Sequence, residues 1–218
     1  MSPPQPSLRR YGDNAVLVEW DVTGFDAVVS EQVHALAAEL RKEVFFTEIM
    51  PGYDSLVASF DLASIDEVAI HQRVGRAIAE LSAFDAELSG RLVDIPVHYG
   101  GENGPDLEAL SKATGKSPKE IIAFHSSREY RVCMMGFIPG FTFLSEVDPA
   151  LHHPRHATPR AMVPAGSVGI ANWQTGIYGL ESPGGWQIIG RTDSVMFDPN
   201  RDEPFLVSAG DRIRFVPQ

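Results

Sequence analysis

Apolar positions in the first hundred residues alternate between two periods. Residues 15–20, Ala-Val-Leu-Val-Glu-Trp, form an apolar run of strand length. From Asp26 to Lys42 the period becomes helical, with Val29, Val33, Leu36, Ala37 and Leu40 on one face. Residues 45–49 and 55–60 read as two strands, and Met50-Pro51-Gly52-Tyr53-Asp54 between them carries turn chemistry. A second helix is expected over 65–81, with a weak stripe of Val68, His71, Gln72, Gly75 and Ala79. Residues 92–97 supply a further strand. The order βαββαβ predicts a ferredoxin-like α+β domain, with helices layered on a sheet.

The pattern changes after Tyr99-Gly100-Gly101. Two short helices are expected first. Pro105 opens one and Gly115 closes it. Ser117-Pro118-Lys119-Glu120 has the spacing of a capping box for the next, which runs to about Ser126. Beyond Tyr130 glycine and proline punctuate short apolar runs at 162–163, 168–170, 176–178, 186–189, 195–197 and 212–215. Many short strands with tight turns predict a closed or nearly closed β-barrel. The boundary between the two domains, 1–98 and 99–218, is expected within about five residues of Tyr99.

Composition narrows the class. With 218 residues, 22% charged and 44% hydrophobic, the chain has the balance of a soluble globular protein. A net charge of −11 disfavours nucleic acid as a partner. No apolar run approaches the roughly 20 residues needed to cross a bilayer. The proline-rich start, Met1 to Pro6, lacks the basic and apolar regions of a signal peptide. A single cysteine, Cys133, cannot form an internal disulfide. These features predict a cytoplasmic protein.

Four apparent motifs lose weight when their context is read. Gly115-Lys116-Ser117 resembles the end of a P-loop, but Leu110 stands where the first glycine is needed and a helix precedes it. Ala165-Gly166-Ser167-Val168-Gly169 misses the nucleophile elbow by one glycine and lies among expected strands. His152, His153 and His156 are interrupted by Pro154 and have no completing ligand set, so a solvated loop is expected and no metal. Cys133 sits in the apolar run 132–135 and reads as a buried small hydrophobe.

The stretch from Gly136 to Thr192 is richer. Gly136-Phe137-Ile138-Pro139-Gly140-Phe141 places aromatics on a backbone shaped by glycine and proline. Pro154-Arg155 and Pro159-Arg160 repeat one pair, and Pro164-Ala165-Gly166-Ser167-Val168-Gly169-Ile170, Gln174-Thr175-Gly176-Ile177-Tyr178, Ser182-Pro183-Gly184-Gly185-Trp186 and Gly190-Arg191-Thr192 follow. Glycine permits close backbone approach to a ligand, and arginine offers a planar fork for carboxylate or phosphate. A barrel that needs glycine at its corners and tryptophan in its core accounts for the same composition.

These motifs, with Tyr99-Gly100-Gly101, the Pro105-Asp106-Leu107 turn, His125, Gly12-Asp13 and the strands around Pro51 and Ser55-Leu56, resemble the family of 5-oxoprolinase B subunits. That family also includes KipI-like kinase inhibitors and allophanate hydrolase subunit 1. The resemblance spans nearly the whole chain. It departs at Phe143, where tyrosine is common, at Gly179 (proline), at Asn172-Trp173 (glycine) and at His98 (cysteine).

The resemblance implies an N-terminal α/β domain and a cyclophilin-like C-terminal barrel. It implies the A and C subunits of 5-oxoprolinase as partners, and ATP with Mg²⁺ at the level of the assembled complex rather than bound tightly by this chain. The complex opens the lactam of 5-oxoproline to glutamate, and the chain alone is expected to be inactive. Arg155, Arg160 and Arg191 are candidates for anion contacts, and Ser167, Gln174 and Thr175 for hydrogen bonds to substrate. His98 and His125, with Arg160, are the candidate catalytic groups, since imidazole exchanges protons near neutral pH. The alternative is a regulatory binding protein that inhibits a sensor histidine kinase. A prolyl isomerase rests on the cyclophilin-like fold alone and ranks last.

Overall fold

The computed structural model describes residues 4–81 and 90–218. The chain divides into two compact units, Met1–Ser89 and Gly90–Gln218. The first three residues of the polar start lie outside the described residues.

The first unit runs β1 (Ser7–Tyr11), β2 (Ala15–Glu19), α1 (Ala27–Leu40), β3 (Phe46–Pro51), β4 (Ser55–Phe60) and α2 (Glu67–Leu81). All its strand pairs are antiparallel, in the order β1-β2-β4-β3. Asp26 caps α1 by accepting from the Val28 and Val29 amides, so the helix begins where its apolar face begins. That face, Val29, Val33, Leu36, Ala37 and Leu40, is fully buried with Val16, Val18, Trp20, Leu56 and Phe60. In α2 the buried stripe is Ile70, Val74, Ala77 and Leu81. Val68, expected on that stripe, is instead 67% exposed. The Ile70 stripe keeps the i, i+4, i+7 spacing that one helix face requires.

The ferredoxin-like βαββαβ order is not what this unit has. Its order is ββαββα, because β1 pairs with β2 and the strand expected to complete the sheet goes elsewhere. That strand is β5 (Leu92–Tyr99). It runs parallel to β13 (Arg212–Pro217), Leu92 facing Arg212 through Val97 facing Pro217. Alternating apolar positions identify a strand but not its partner; here the last strand of the chain supplies a six-residue ladder that the first unit does not.

The second unit continues with α3 (Leu107–Thr114), α4 (Pro118–Ser126), β6 (Glu129–Met135), β7 (Thr142–Glu146), a 3₁₀ turn at Pro149–Leu151, β8 (Arg160–Val163), β9 (Ser167–Ala171), β10 (Gln174–Ile177), β11 (Ser182–Gly184) and β12 (Gln187–Arg191). Seven strands close a barrel in the order β10-β7-β6-β13-β5-β12-β9, and β8 and β11 form a small separate pair. Ser117 and Glu120 form the expected capping box, and Gly115 ends α3 with φ 69°. Gly115-Lys116-Ser117 is therefore a helix-to-helix joint, with the Lys116 ammonium 5.0 Å from the centre of the Phe124 ring. Residues 195–197, read as a strand, make only one bridge, Phe197 to Phe205. Asn172 turns the β9–β10 hairpin at φ 55°, a left-handed conformation that asparagine tolerates better than most residues, in keeping with the glycine frequent there in the resemblance.

The barrel interior holds Ile95, Val97, Tyr130, Val132, Leu144, Val168, Ile170, Ile177, Ile189, Ile213 and Phe215. His125 sits among them, fully buried and stacked on Phe215 at 4.5 Å between ring centres. Its Nδ1 is 2.8 Å from the Tyr99 hydroxyl and its Nε2 2.8 Å from Thr175 Oγ1, which donates to the Gly169 carbonyl at 3.0 Å. A hydroxyl has one proton, so Thr175 must accept from Nε2–H and Nδ1 must accept from Tyr99. The chain of donors fixes one neutral tautomer in the core.

Candidate functional site

The sequence-expected residues separate into three places on the second unit. The first is the core just described. Burial pushes the His125 pKa down from 6.5 to about 3, and the Tyr99 hydroxyl upward. His125 and Thr175 thus form a hydrogen-bonded link in the barrel core, with the imidazole fully buried.

The second place is a row across three strands. Arg191 on β12 faces His98 on β5 and Ser167 on β9. His98 is half exposed, with Nε2 3.5 Å from Asp193 Oδ2. The Arg191 Nε donates to the Ala165 carbonyl at 3.0 Å, and the residue is exposed. Ser167 is buried. Gln174 stands apart from this row, at the start of β10 facing Glu146 and Ala171.

The third place holds the larger assembly. Phe137, Phe141, Phe143, Tyr178 and Trp186 line a cleft of about 310 Å³, together with Arg155, Pro159, Pro183 and Gly184 of β11, and Gly185. Flat strand surface makes room for the indole: Cβ atoms on Gly169 and Gly176 would come within 3.0–3.2 Å of Trp186. Phe141 meets Tyr178 edge-on at 4.8 Å and Trp186 at 5.4 Å. Phe137, 65% exposed, stands at the rim with φ 67°, an uncommon backbone for an aromatic residue. The Arg155 guanidinium lies 5.7 Å from the Trp186 ring centre and has no acidic partner among the described residues. Phe143, one of the departures from the resemblance, is on this wall.

Asp106 ties together residues close in the chain to the cleft residues Arg155, Pro159 and Trp186. The carboxylate is 4% exposed. Oδ1 accepts from Arg160 at 2.5 Å, and Oδ2 accepts from the Ile188 amide at 2.6 Å. The His156 Nε2 is 3.2 Å from Oδ2 but too oblique for a straight hydrogen bond. Burial alone would raise the Asp106 pKa; Arg160, the Ile188 amide and His156 together hold it below the usual carboxylate range. The Arg160 guanidinium also reaches the Trp186 carbonyl at 3.5 Å, the His156 amide donates to the Gly185 carbonyl at 2.7 Å, and Gln187 donates to the Pro154 carbonyl at 2.9 Å. The loop bearing Arg155 is thereby tied to the strand entry bearing Trp186.

Arg160 therefore spends its charge on a carboxylate of its own chain, while Arg155 does not. The three histidines read as a solvated loop have separate partners: His152 pairs with Glu146 at 3.1 Å, the His153 backbone bridges to Asn172, and His156 faces Asp106. Sequence reasoning missed Asp106 and His156 as site residues. Asp106 and Arg160 are 54 positions apart, and only its place in the Pro105-Asp106-Leu107 turn singled out the aspartate.

Gly184 is under the tightest constraint in the cleft, since a Cβ there would overlap the Tyr178 hydroxyl oxygen. Gly184→Ala is expected to displace Tyr178 and to cost about 1–3 kcal/mol in urea unfolding. An unchanged midpoint would show that the tyrosine has room to move.

Residues 6–207 match the family described as carboxyltransferase domain, subdomain C and D. The chain belongs to this family, in which it stands among the B subunits of 5-oxoprolinase. It is 39% identical over 225 residues to the 5-oxoprolinase B subunit of Bacillus subtilis, covering 96% of this chain and 91% of that protein. With the Escherichia coli O157:H7 protein of the same name it shares 41% identity over 209 residues, covering 95% and 94%. Among solved structures, TTHA0988 superposes with a TM-score of 0.80 at 35% identity; the match covers 94% of this chain and 40% of that one. The Kluyveromyces lactis urea amidolyase superposes with a TM-score of 0.76 at 20% identity, a likeness of fold that covers 99% of this chain and 15% of the larger one. Among the described residues, no helix is long and apolar enough to cross a membrane.

Proposed function

We propose that this chain is the B subunit of a cytoplasmic, ATP-dependent 5-oxoprolinase. It works with the A and C subunits to open 5-oxoproline to glutamate, and its barrel unit acts as a cyclophilin-like domain. The observation that carries this reading is the 39–44% identity to three proteins named as the B subunit of 5-oxoprolinase, over 85–96% of this chain.

A lactam is a stabilised amide, and ATP supplies its activation; positioning and charge neutralisation are what protein groups add to such a step. Among the described residues no three His, Cys, Asp or Glu side chains converge as ligands for a metal. The reading gives Mg²⁺ and the nucleotide phosphates to the assembled complex. This chain contributes Arg155 at its cleft and the exposed His98–Arg191 row, with Ser167 and Gln174 beside the strand ends. Arg160, already paired with Asp106, orients the cleft.

The test combines the purified proteins with 5-oxoproline, ATP and Mg²⁺ and follows glutamate release. Turnover is expected only when all three subunits are together. Turnover by this chain alone would overturn the shared-site reading, and a complete but inactive complex would overturn the 5-oxoprolinase reading.

A further inference from the structure

We propose that the aromatic cleft on the barrel unit is a binding site for a small, flat ring carrying a carboxylate, with the ring among the aromatic side chains and the carboxylate on Arg155. The inference rests on the 5-oxoprolinase reading for its choice of probe, 5-oxoproline, and adds to that reading the place where the ring binds.

Three features of the cleft carry it. The first is charge. The chain has a net charge of −11, and several of its arginines are paired with carboxylates, as Arg91 with Asp211, Arg160 with Asp106, Arg212 with Glu129 and Arg214 with Asp94. Arg155 instead lies over an indole. Stacking uses the face of the guanidinium and leaves its edge, where the N–H groups point, free for a planar bidentate acceptor. The second is shape. Five aromatic side chains with Pro183, Gly184 and Gly185 line a cleft of about 310 Å³, at the lower end of small-molecule sites. The third is the Tyr178 hydroxyl. It belongs to a residue that lines the cleft and is 1% exposed, and it packs against Gly184. A phenolic hydroxyl can donate its proton to an oxygen on the ligand. Burial raises the Tyr178 pKa, which keeps that proton in place at neutral pH. A flat ring with a carboxylate at one edge and a carbonyl at another meets all three groups at once. The Asp106 bonds to Arg160 and to the Ile188 amide tie the segments that carry Pro159 and Trp186 to one carboxylate.

The test is direct binding to the full chain by titration calorimetry, with 5-oxoproline and its carboxamide as probes. Wild type, Arg155→Lys and Tyr178→Phe are compared, and thermal unfolding of each variant confirms that it is folded. Saturable binding of 5-oxoproline is expected, weakened about tenfold or more by Arg155→Lys, by Tyr178→Phe and by replacing the carboxylate with the carboxamide. Equal binding by all three proteins, equal binding of the two probes, or no binding of 5-oxoproline at millimolar concentration would overturn the site. So would binding of a proline-containing peptide that 5-oxoproline does not displace. Turnover of the assembled complex is scored separately. An active complex in which this chain fails these titrations removes the cleft proposal and leaves the 5-oxoprolinase reading standing; an inactive complex does the reverse.

Discussion

Acidifying the protein from pH 6.5 towards pH 3 is expected to lower its unfolding free energy by roughly 1.4 kcal/mol for each pH unit through His125 alone. The imidazole has a pKa of about 3 in the folded barrel against 6.5 when unfolded. Between those values the unfolded chain takes up a proton that the native chain refuses. Stability is therefore complete above pH 6.5 and falls as the pH drops through the window, by on the order of 2 kcal/mol at pH 5. The physical cause is burial: the imidazolium would give up its hydration in the barrel core. Asp106, held below the usual carboxylate range, adds its own loss only at the acid end, below about pH 4. His125→Gln separates the two. Glutamine can accept from Tyr99 and donate to Thr175 but takes up no proton, so its stability should be lower at pH 7 yet nearly flat between pH 6.5 and 4.5. Urea unfolding across that range measures both slopes. Parallel slopes for wild type and variant would show that other groups govern the acid lability.

Asp106→Ala is expected to destabilise the second unit by about 2–4 kcal/mol. The change strands the Ile188 amide, which donates to the carboxylate in the core of the fold, and leaves Arg160 without its counter-charge. The figure is kept below that of a fully buried pair because the Arg160 side chain is 32% exposed. Asp106→Asn preserves the shape and one acceptor oxygen and should cost less. Adding Arg160→Met to Asp106→Ala should recover part of the loss, since it removes the cation left without a partner. Equilibrium unfolding of the four proteins in one buffer gives the cycle. If the double variant is as unstable as the sum of the two single changes, the carboxylate acts only on Ile188, and Arg160 is held by the loop itself.

The elements of both units were largely legible along the chain, because each announces itself locally. Asp26 and Ser117 are N-cap residues immediately before apolar stripes, and Gly115 ends a helix in the left-handed region. The Val29–Leu40 face is buried as its spacing predicts. The run 195–197 misled because an apolar triplet in a loop has the same local pattern as a short strand. Strand β1, Ser-Leu-Arg-Arg-Tyr, escaped notice because it is mostly exposed, with Leu8 reaching the core. Its sheet position comes from the ladder to β2, not from an apolar pattern.

For the site, the sequence by itself determined the family, the glycine-, proline- and aromatic-rich stretch from Gly136 to Thr192 as the place to look, and the capped helices that precede it. Residue type and spacing carry that much, since backbone conformation and apolar periodicity are properties of near neighbours. Only the tertiary structure decided where each candidate sits and what it touches. It placed Leu92–Tyr99 in the barrel beside Arg212–Pro217, enclosed His125 in the barrel core, joined Arg160 to Asp106 across 54 positions, and set Arg155 over Trp186. A polar side chain's chemistry depends on which groups and how much water surround it, and in a closed barrel those neighbours come from strands far apart in the chain.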